Sequence, residues 1–270
     1  MGKRCAIGMD IGGTQLKAGI VRDDGKVLYQ CTAPTLAISG REALLGQIGA
    51  IANDLKGTAD EWDFELAGTG IGTAGFVDLN GTVAEATGNL PGWSGTRLKE
   101  EMESRLQVPV RVDNDANAMA AGEMWLGAGK DAEHFIMITL GTGVGGSIVH
   151  DRRIYRGREG FAGALGHQRV VIEGEACTCG QRGCWEQYAS VTALRRLMVT
   201  KGVQASTAEE LFEDLRNGDP AAMSVVDEYA RNIAVGLANL IHVFNPSSII
   251  VGGERLRLRE TPCSSRFGDT

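Results

Sequence analysis

The chain has 270 residues, 43% hydrophobic and 23% charged, with a net charge of −7. That make-up is globular, and the length suits one large or two smaller domains. Basic tracts and bilayer-length apolar runs are both lacking, and the apolar run at the start is too short for a signal peptide. These features argue against nucleic acid or a membrane as partner and place the chain in the cytoplasm. Acidity does not exclude a nucleotide, because backbone N–H groups and a metal ion can hold phosphate.

Residues 5–10 read as a short apolar strand ending in a carboxylate, Asp10. Ile11-Gly12-Gly13-Thr14 then leads into a second strand over 15–21, a hairpin whose glycines let phosphate approach backbone amides. Asp10 is placed to hold Mg²⁺ directly or through water; an incidental Asp on a plain hairpin is the alternative. Asp23-Asp24-Gly25 is a tight turn before a third strand over 27–32. Leu44, Leu45, Ile48, Ile51 and Leu55 recur at helical spacing. A strand over 66–72 runs into Gly75, and the stretch from Asn89 to Trp93 reads as an ordered loop. A helix over 96–106 delivers the chain to Val110-Arg111-Val112-Asp113-Asn114-Asp115-Ala116-Asn117, a strand that stops at polar residues before a helix over 118–126. Such junctions sit at the carboxyl end of a sheet, where open α/β folds bind ligands. Helix capping explains the same polar residues about equally well from this octet alone.

After Asp131 the pattern restarts. An apolar strand over 135–140, the turn Gly141-Thr142-Gly143 and a strand over 144–150 repeat the opening hairpin. Two phosphate-type hairpins with a polar strand end between them predict a duplicated two-domain α/β fold holding a nucleotide in its cleft. The turns are not P-loops, since no Gly-Lys-Ser/Thr follows, and not Rossmann fingerprints, since each leads to a strand. Asp219-Pro220 opens a helix through Phe244, and residues 248–253 are again a strand ending in glycines, Gly252 and Gly253.

Three of the six cysteines lie within eight residues, Cys177-Thr178-Cys179-Gly180-Gln181-Arg182-Gly183-Cys184. In a reducing compartment this clustering favours a metal over disulfides. Cys5, Cys31 and Cys263 read as packing or incidental thiols, and His134, His150 and His242 as ordinary histidines without comparable company.

Five motifs in this order resemble the ROK family of sugar kinases and repressors, within the actin/hexokinase-like fold. They are Asp10-Ile11-Gly12-Gly13-Thr14, Asn114-Asp115-Ala116-Asn117, Leu140-Gly141-Thr142-Gly143-Val144-Gly145-Gly146, Gly166-His167, and Cys177-x-Cys179-Gly180-x-x-Gly183-Cys184-x-Glu186. The resemblance implies a cleft between duplicated halves, divided here as residues 1–116, 117–253 and an irregular tail, 254–270, expected to be a truncated or frame-altered end. It leaves no room before the first hairpin for a DNA-binding domain.

The resemblance further implies an ATP-dependent hexose kinase, with glucose phosphorylated at its 6-hydroxyl. N-acetylmannosamine or another hexose, or a sugar-binding regulatory protein, are the alternatives. It makes Asp115 the general base, and Gly75, Asn89, Asn114, Asp115, His167 and Glu186 the sugar site. ATP with Mg²⁺ falls to Asp10, Gly12, Gly13, Thr14, Gly141, Thr142 and Gly143, with Gly252 and Gly253 bordering the adenosine. His167, Cys177, Cys179 and Cys184 form a closed structural Zn²⁺ site. A homodimer is implied as well. One position departs from the pattern: Ala164 stands where the family carries a sugar-binding Glu.

Overall fold

A computed structural model describes residues 3–86, 88–205, 207–253 and 261–262. The expectations for the tail therefore lie outside the described residues, apart from one two-residue strand. Two compact units emerge. The first comprises residues 1–122, 156–161 and 256–270, and the second residues 123–155 and 162–255.

The first unit opens with β1 (Lys3–Ile11), β2 (Gln15–Arg22) and β3 (Val27–Pro34), an antiparallel meander. In β1 the buried positions are Cys5, Ile7, Met9 and Ile11, a period of two that sends Asp10 to the opposite face. Helix α1 (Arg41–Glu61) then crosses over, burying Leu44, Leu45, Ile48, Ile51 and Leu55 as the spacing predicts. It delivers β4 (Phe64–Thr73), parallel to β1. A small hairpin follows, β5 (Phe76–Val77) and β6 (Val83–Glu85), which the sequence reading did not anticipate. Helix α2 (Leu98–Leu106) leads to β7 (Val110–Asn114), parallel to β4. Helix α3 (Asp115–Leu126) starts at Asp115 itself, three residues before the predicted helix. With β12 (Thr261–Pro262) beside β3, the sheet order is β12-β3-β2-β1-β4-β7.

The second unit repeats the device. Strands β8 (Phe135–Leu140) and β9 (Val144–His150) form the second hairpin, and β10 (Arg153–Ile154) extends it. Its helices are α4 (Glu186–Ala189), α5 (Val191–Thr200), α6 (Ala208–Arg216) and α7 (Pro220–Phe244). Asp219 caps α7 by accepting the Ala222 N–H at 2.7 Å, with Pro220 at the first helical position. Strand β11 (Ser248–Gly253) returns parallel to β8, giving the order β10-β9-β8-β11. In both units an antiparallel hairpin is therefore flanked by a third antiparallel strand on one side and a parallel strand on the other. No helix among the described residues is long and apolar enough to cross a membrane.

Cys31 departs from the reading as an incidental thiol: it is disulfide-bonded. Cys5 is a buried free thiol, as expected of a packing residue.

Candidate active site and metal centre

In the first unit, strand register brings the polar residues to one sheet edge. Asp10 of β1 pairs with Gly72 of β4, and Gly72 pairs with Asp113 of β7. All three strands run parallel, so Asp10, Asn114 and Asp115 lie at their carboxyl ends. The capping reading holds for Asn114, whose Oδ1 accepts the Ala116 N–H at 2.9 Å. Its Nδ2 donates to the Gly75 carbonyl at 2.9 Å, so the same side chain ties the loop after β4 to the start of α3. Gly75 has φ +107, and a Cβ there would lie 3.0 Å from the Ala86 Cα. Only glycine fits that turn without strain.

The two neighbouring aspartates have different surroundings. Asp113 Oδ1 accepts from the Asn114 N–H at 2.9 Å and from Asn117 Nδ2 at 2.7 Å, while Arg156 pairs with Oδ2 at 2.5 Å. Among the described residues, Asp115 bonds its immediate neighbours, the Ala116 N–H at 2.8 Å and the Asn114 side chain. Asp10 and Asp115 each keep an edge in solvent, yet the protein crowding around them desolvates their charge. That loss of water raises both pKa values; the negative charge of Asp10 pushes Asp115 further up, and Lys17 on the adjacent strand partly offsets the rise at Asp10. Two desolvated carboxylates at one sheet edge, one raised further by the other's charge, suit a cation, so these residues fit a Mg²⁺-bearing ligand.

Asn89 lies against the first hairpin, since a Cβ on Gly13 would fall 2.5 Å from the Asn89 Cβ. Its loop is held by Leu90 and Trp93, both buried, by the Trp93 Nε1 bond to Thr73 Oγ1 at 3.2 Å, and by Arg41, which donates to the Gly92 and Ser94 carbonyls. At the hairpin tip the Gly12 N–H donates to the Gln15 carbonyl at 3.0 Å, and Thr35 bonds the Gly12 and Thr14 carbonyls.

In the second unit, the 141–143 turn is pinned by the first turn of α5. The Val191 N–H donates to the Gly141 carbonyl at 2.8 Å and Thr192 Oγ1 to the Thr142 carbonyl at 2.8 Å. Gly252 and Gly253 pair with Thr139 and Leu140, which brings them to the same sheet end as this turn. Glu186, at the start of α4, completes the group: a Cβ on Gly143 would lie 2.7 Å from its Oε2.

His167, Cys177, Cys179 and Cys184 converge, with ligand atoms within 4.8 Å of one another. Cys179 and Cys184 Sγ are 3.6 Å apart, and Cys177 Sγ is 3.7 Å from His167 Nδ1. A tetrahedral zinc with thiolate bonds of about 2.3 Å separates its sulfurs by about 3.8 Å, so the four residues fit the ion. Without a cation, burial and the neighbouring thiols push Cys184 up to about 12, whereas backbone and thiol hydrogen bonds hold Cys179 below the usual thiol range despite its own burial. His167 reaches the cluster because Gly166 packs onto the Val144 carbonyl, where no Cβ could fit. Glu186 Oε1 accepts from Cys177 Sγ at 3.1 Å and lies 3.8 Å from His167 Nδ1. The expected sugar ligand is thus also the neighbour of the candidate metal ligands, and deprotonation of Cys177 on metal loading would remove that donor. Ala164 is exposed one residue before the short turn over 165–167.

Sequence reasoning missed Arg156, which lies 43 positions from its partner Asp113 in a six-residue segment that returns to the first unit. It also missed the two α5 residues that shape the second turn. Neither carries a local signal, since both act through pairings distant in the chain.

The ROK family profile matches residues 6–260. The glucokinase of Thermotoga maritima is 34% identical over 94% of this chain and 83% of its own. That of Streptomyces coelicolor is 38% identical over 92% and 81%. Among solved structures, a ROK family glucokinase from Streptomyces griseus, in complex with glucose and AMPPNP, superposes with a TM-score of 0.79. It is 38% identical and covers 92% of this chain and 83% of that one. Sequence motifs, paired hairpins and these similarities agree: the chain belongs to the ROK family.

Proposed function

We propose that this chain transfers the terminal phosphoryl group of ATP to a hexose, glucose at its 6-hydroxyl, with Asp115 as general base. The carrying observation is the contrast between Asp113, held by three donors, and Asp115, locally bonded and raised in pKa at the same sheet edge. A sugar hydroxyl is a weak nucleophile, and a carboxylate with raised proton affinity takes its proton more readily. In this reading the hydroxyl proton passes to Asp115 as the sugar oxygen bonds to the γ-phosphorus and the bond to the β-phosphate oxygen breaks, releasing ADP. Asn114 and Asn89, with Gly75 shaping the loop, orient the sugar on one side; His167 and Glu186 do so on the other. The hairpins 12–14 and 141–143 hold phosphates, and Gly252 and Gly253 border the adenosine. Asp10 would hold Mg²⁺, which would supply charge neutralisation on the phosphates. His167, Cys177, Cys179 and Cys184 would hold a structural Zn²⁺, which would fix the His167–Glu186 side. The reading includes a cytoplasmic homodimer, as the resemblance implies.

Ala164 favours one second reading, a sugar-binding regulator without turnover. An assay of ATP consumption over glucose, mannose, N-acetylglucosamine and N-acetylmannosamine separates the two. The kinase reading expects turnover with one of these sugars, and Asp115→Asn should lower it at least about a hundredfold while sugar binding persists. Near-normal turnover in that variant would remove Asp115 from the role, and no turnover with any sugar would favour the regulator.

A further inference from the structure

Two histidines that the sequence left as ordinary come together in the second unit. His134 precedes β8 and His150 ends β9. Because Phe135 pairs with Val149, the antiparallel register sets these two histidines opposite each other. Their rings lie 4.6 Å apart between centroids. Asp151 follows at the turn into β10, with one carboxylate oxygen 3.6 Å from His134 Nε2 and the other 3.5 Å from His150 Nε2. The three residues offer ligand atoms within 4.8 Å of one another.

We propose that His134, His150 and Asp151 bind a divalent transition ion of the zinc or nickel class at a second site, separate from the cysteine centre. A tetrahedral ion with nitrogen and oxygen bonds of about 2.1 Å spaces its ligands about 3.4 Å apart, close to the two observed separations. Two imidazoles and one carboxylate suit zinc, nickel, cobalt or copper and disfavour Mg²⁺ and Ca²⁺.

The backbone presenting these ligands is braced. The His134 carbonyl accepts both the Ser247 N–H at 3.0 Å and Ser247 Oγ at 2.5 Å, and the Arg152 N–H donates to the Glu133 carbonyl at 3.0 Å. The Arg152 guanidinium donates to the Lys130 carbonyl at 2.6 Å, an anchor apart from the carboxylate. One contact opposes loading: the Asp151 N–H donates to His134 Nδ1 at 3.3 Å. An ion on Nε2 leaves the ring proton on Nδ1, so this long bond must open. Together with its three ligands and solvent exposure, that makes the site weaker and more labile than the cysteine centre. It lies at the far end of β8 and β9 from the 141–143 turn. At about 3.3 Å per residue, those strands place it about 20 Å from the phosphate hairpin.

The test uses tag-free, full-length protein. Zinc equivalents per chain are measured by equilibrium dialysis with elemental analysis, and Co²⁺ loading is followed by absorption. Wild type should take up one equivalent beyond the cysteine centre. His150→Ala, a change at an exposed side chain, and Asp151→Asn should each weaken it at least about tenfold. The second cobalt equivalent should add ligand-field bands without thiolate charge transfer, and excess Mg²⁺ should not displace it. Equal stoichiometry and affinity in wild type and His150→Ala would overturn the proposal, as would thiolate charge transfer on the second equivalent.

Discussion

Two adjacent acids, Asp113 and Asp115, are separated by what surrounds them. Asp113 spends its oxygens on Asn114, Asn117 and Arg156, so it braces the strand end, while burial around Asp115 disfavours its charged form. The folded chain holds protons on Asp10 and Asp115 more tightly than an unfolded chain does. Their contribution to stability is therefore complete below the ordinary carboxylate value of about 3.9 and is lost as pH rises through the elevated folded values. Above that value the folded chain resists charging these groups, so its stability falls as pH rises. Asp115→Asn should then raise the melting temperature of the ligand-free protein at pH 7, with the gain closing toward about pH 4. Thermal melts of both proteins across that range decide it; a variant no more stable than wild type at pH 7 would contradict the assignment. Ala164 invites the opposite change. Its exposed position leaves room for a longer side chain, and Ala164→Glu should tighten an unmodified hexose by about 1.5–3 kcal/mol, the scale of a charge-assisted hydrogen bond. Calorimetric titration with glucose and with N-acetylmannosamine checks this. Weaker binding of the N-acetylated sugar alone would mean that the alanine makes room for its substituent. Unchanged affinity for both would place the 164–167 turn away from the ring.

At the scale of elements, what was legible followed from period and turn chemistry. The alternation in β1, the stripe of α1 and the glycine turns of both hairpins are local patterns, and each element formed where its pattern lay. The convergence of the cysteine knuckle was legible for the same reason: three of its four side chains fall within eight residues, and the fourth, His167, sits ten residues upstream on a turn that glycine lets approach β9. Elements without a strong pattern were missed. The β5–β6 hairpin pairs two residues with three and has almost no period to read. Helices α4 and α5 follow the metal loop directly, and their placement depends on Trp185, whose Nε1 donates to the Asn232 carbonyl of α7 at 2.8 Å. Composition could not foretell the histidine pair either. Sixteen positions separate His134 from His150, and only the β8–β9 register makes them neighbours.

Considered whole, the chain has separate cores. Cys5, Ile7, Leu44, Ile48, Trp93 and Leu98 belong to the cluster of the first unit. Ile136, Ile138, Val144, Leu165, Trp185 and Leu240 form one cluster of the second. Val170 and Trp185, which flank the cysteine loop, pack in the latter. Trp185 is fully buried directly after Cys184, and its backbone N–H donates to the Gln168 carbonyl, one residue past His167. A closed Cys3His zinc site contributes folding energy on the order of 10 kcal/mol, comparable to the whole stability of a domain. Losing the ion should therefore loosen the second unit while the first keeps its own core. Hydrogen exchange read by mass spectrometry on zinc-loaded protein, chelated protein and Cys179→Ser tests this. Peptides from β8, β9 and α7 should lose protection at least about tenfold after metal removal, since tenfold in opening corresponds to only about 1.4 kcal/mol. Those from β1, α1 and β4 should change much less. Equal loss in both sets would mean that the two cores melt as one cooperative body and that the knuckle supports them together. No loss in either set would mean that the thiols hold no ion that matters to folding.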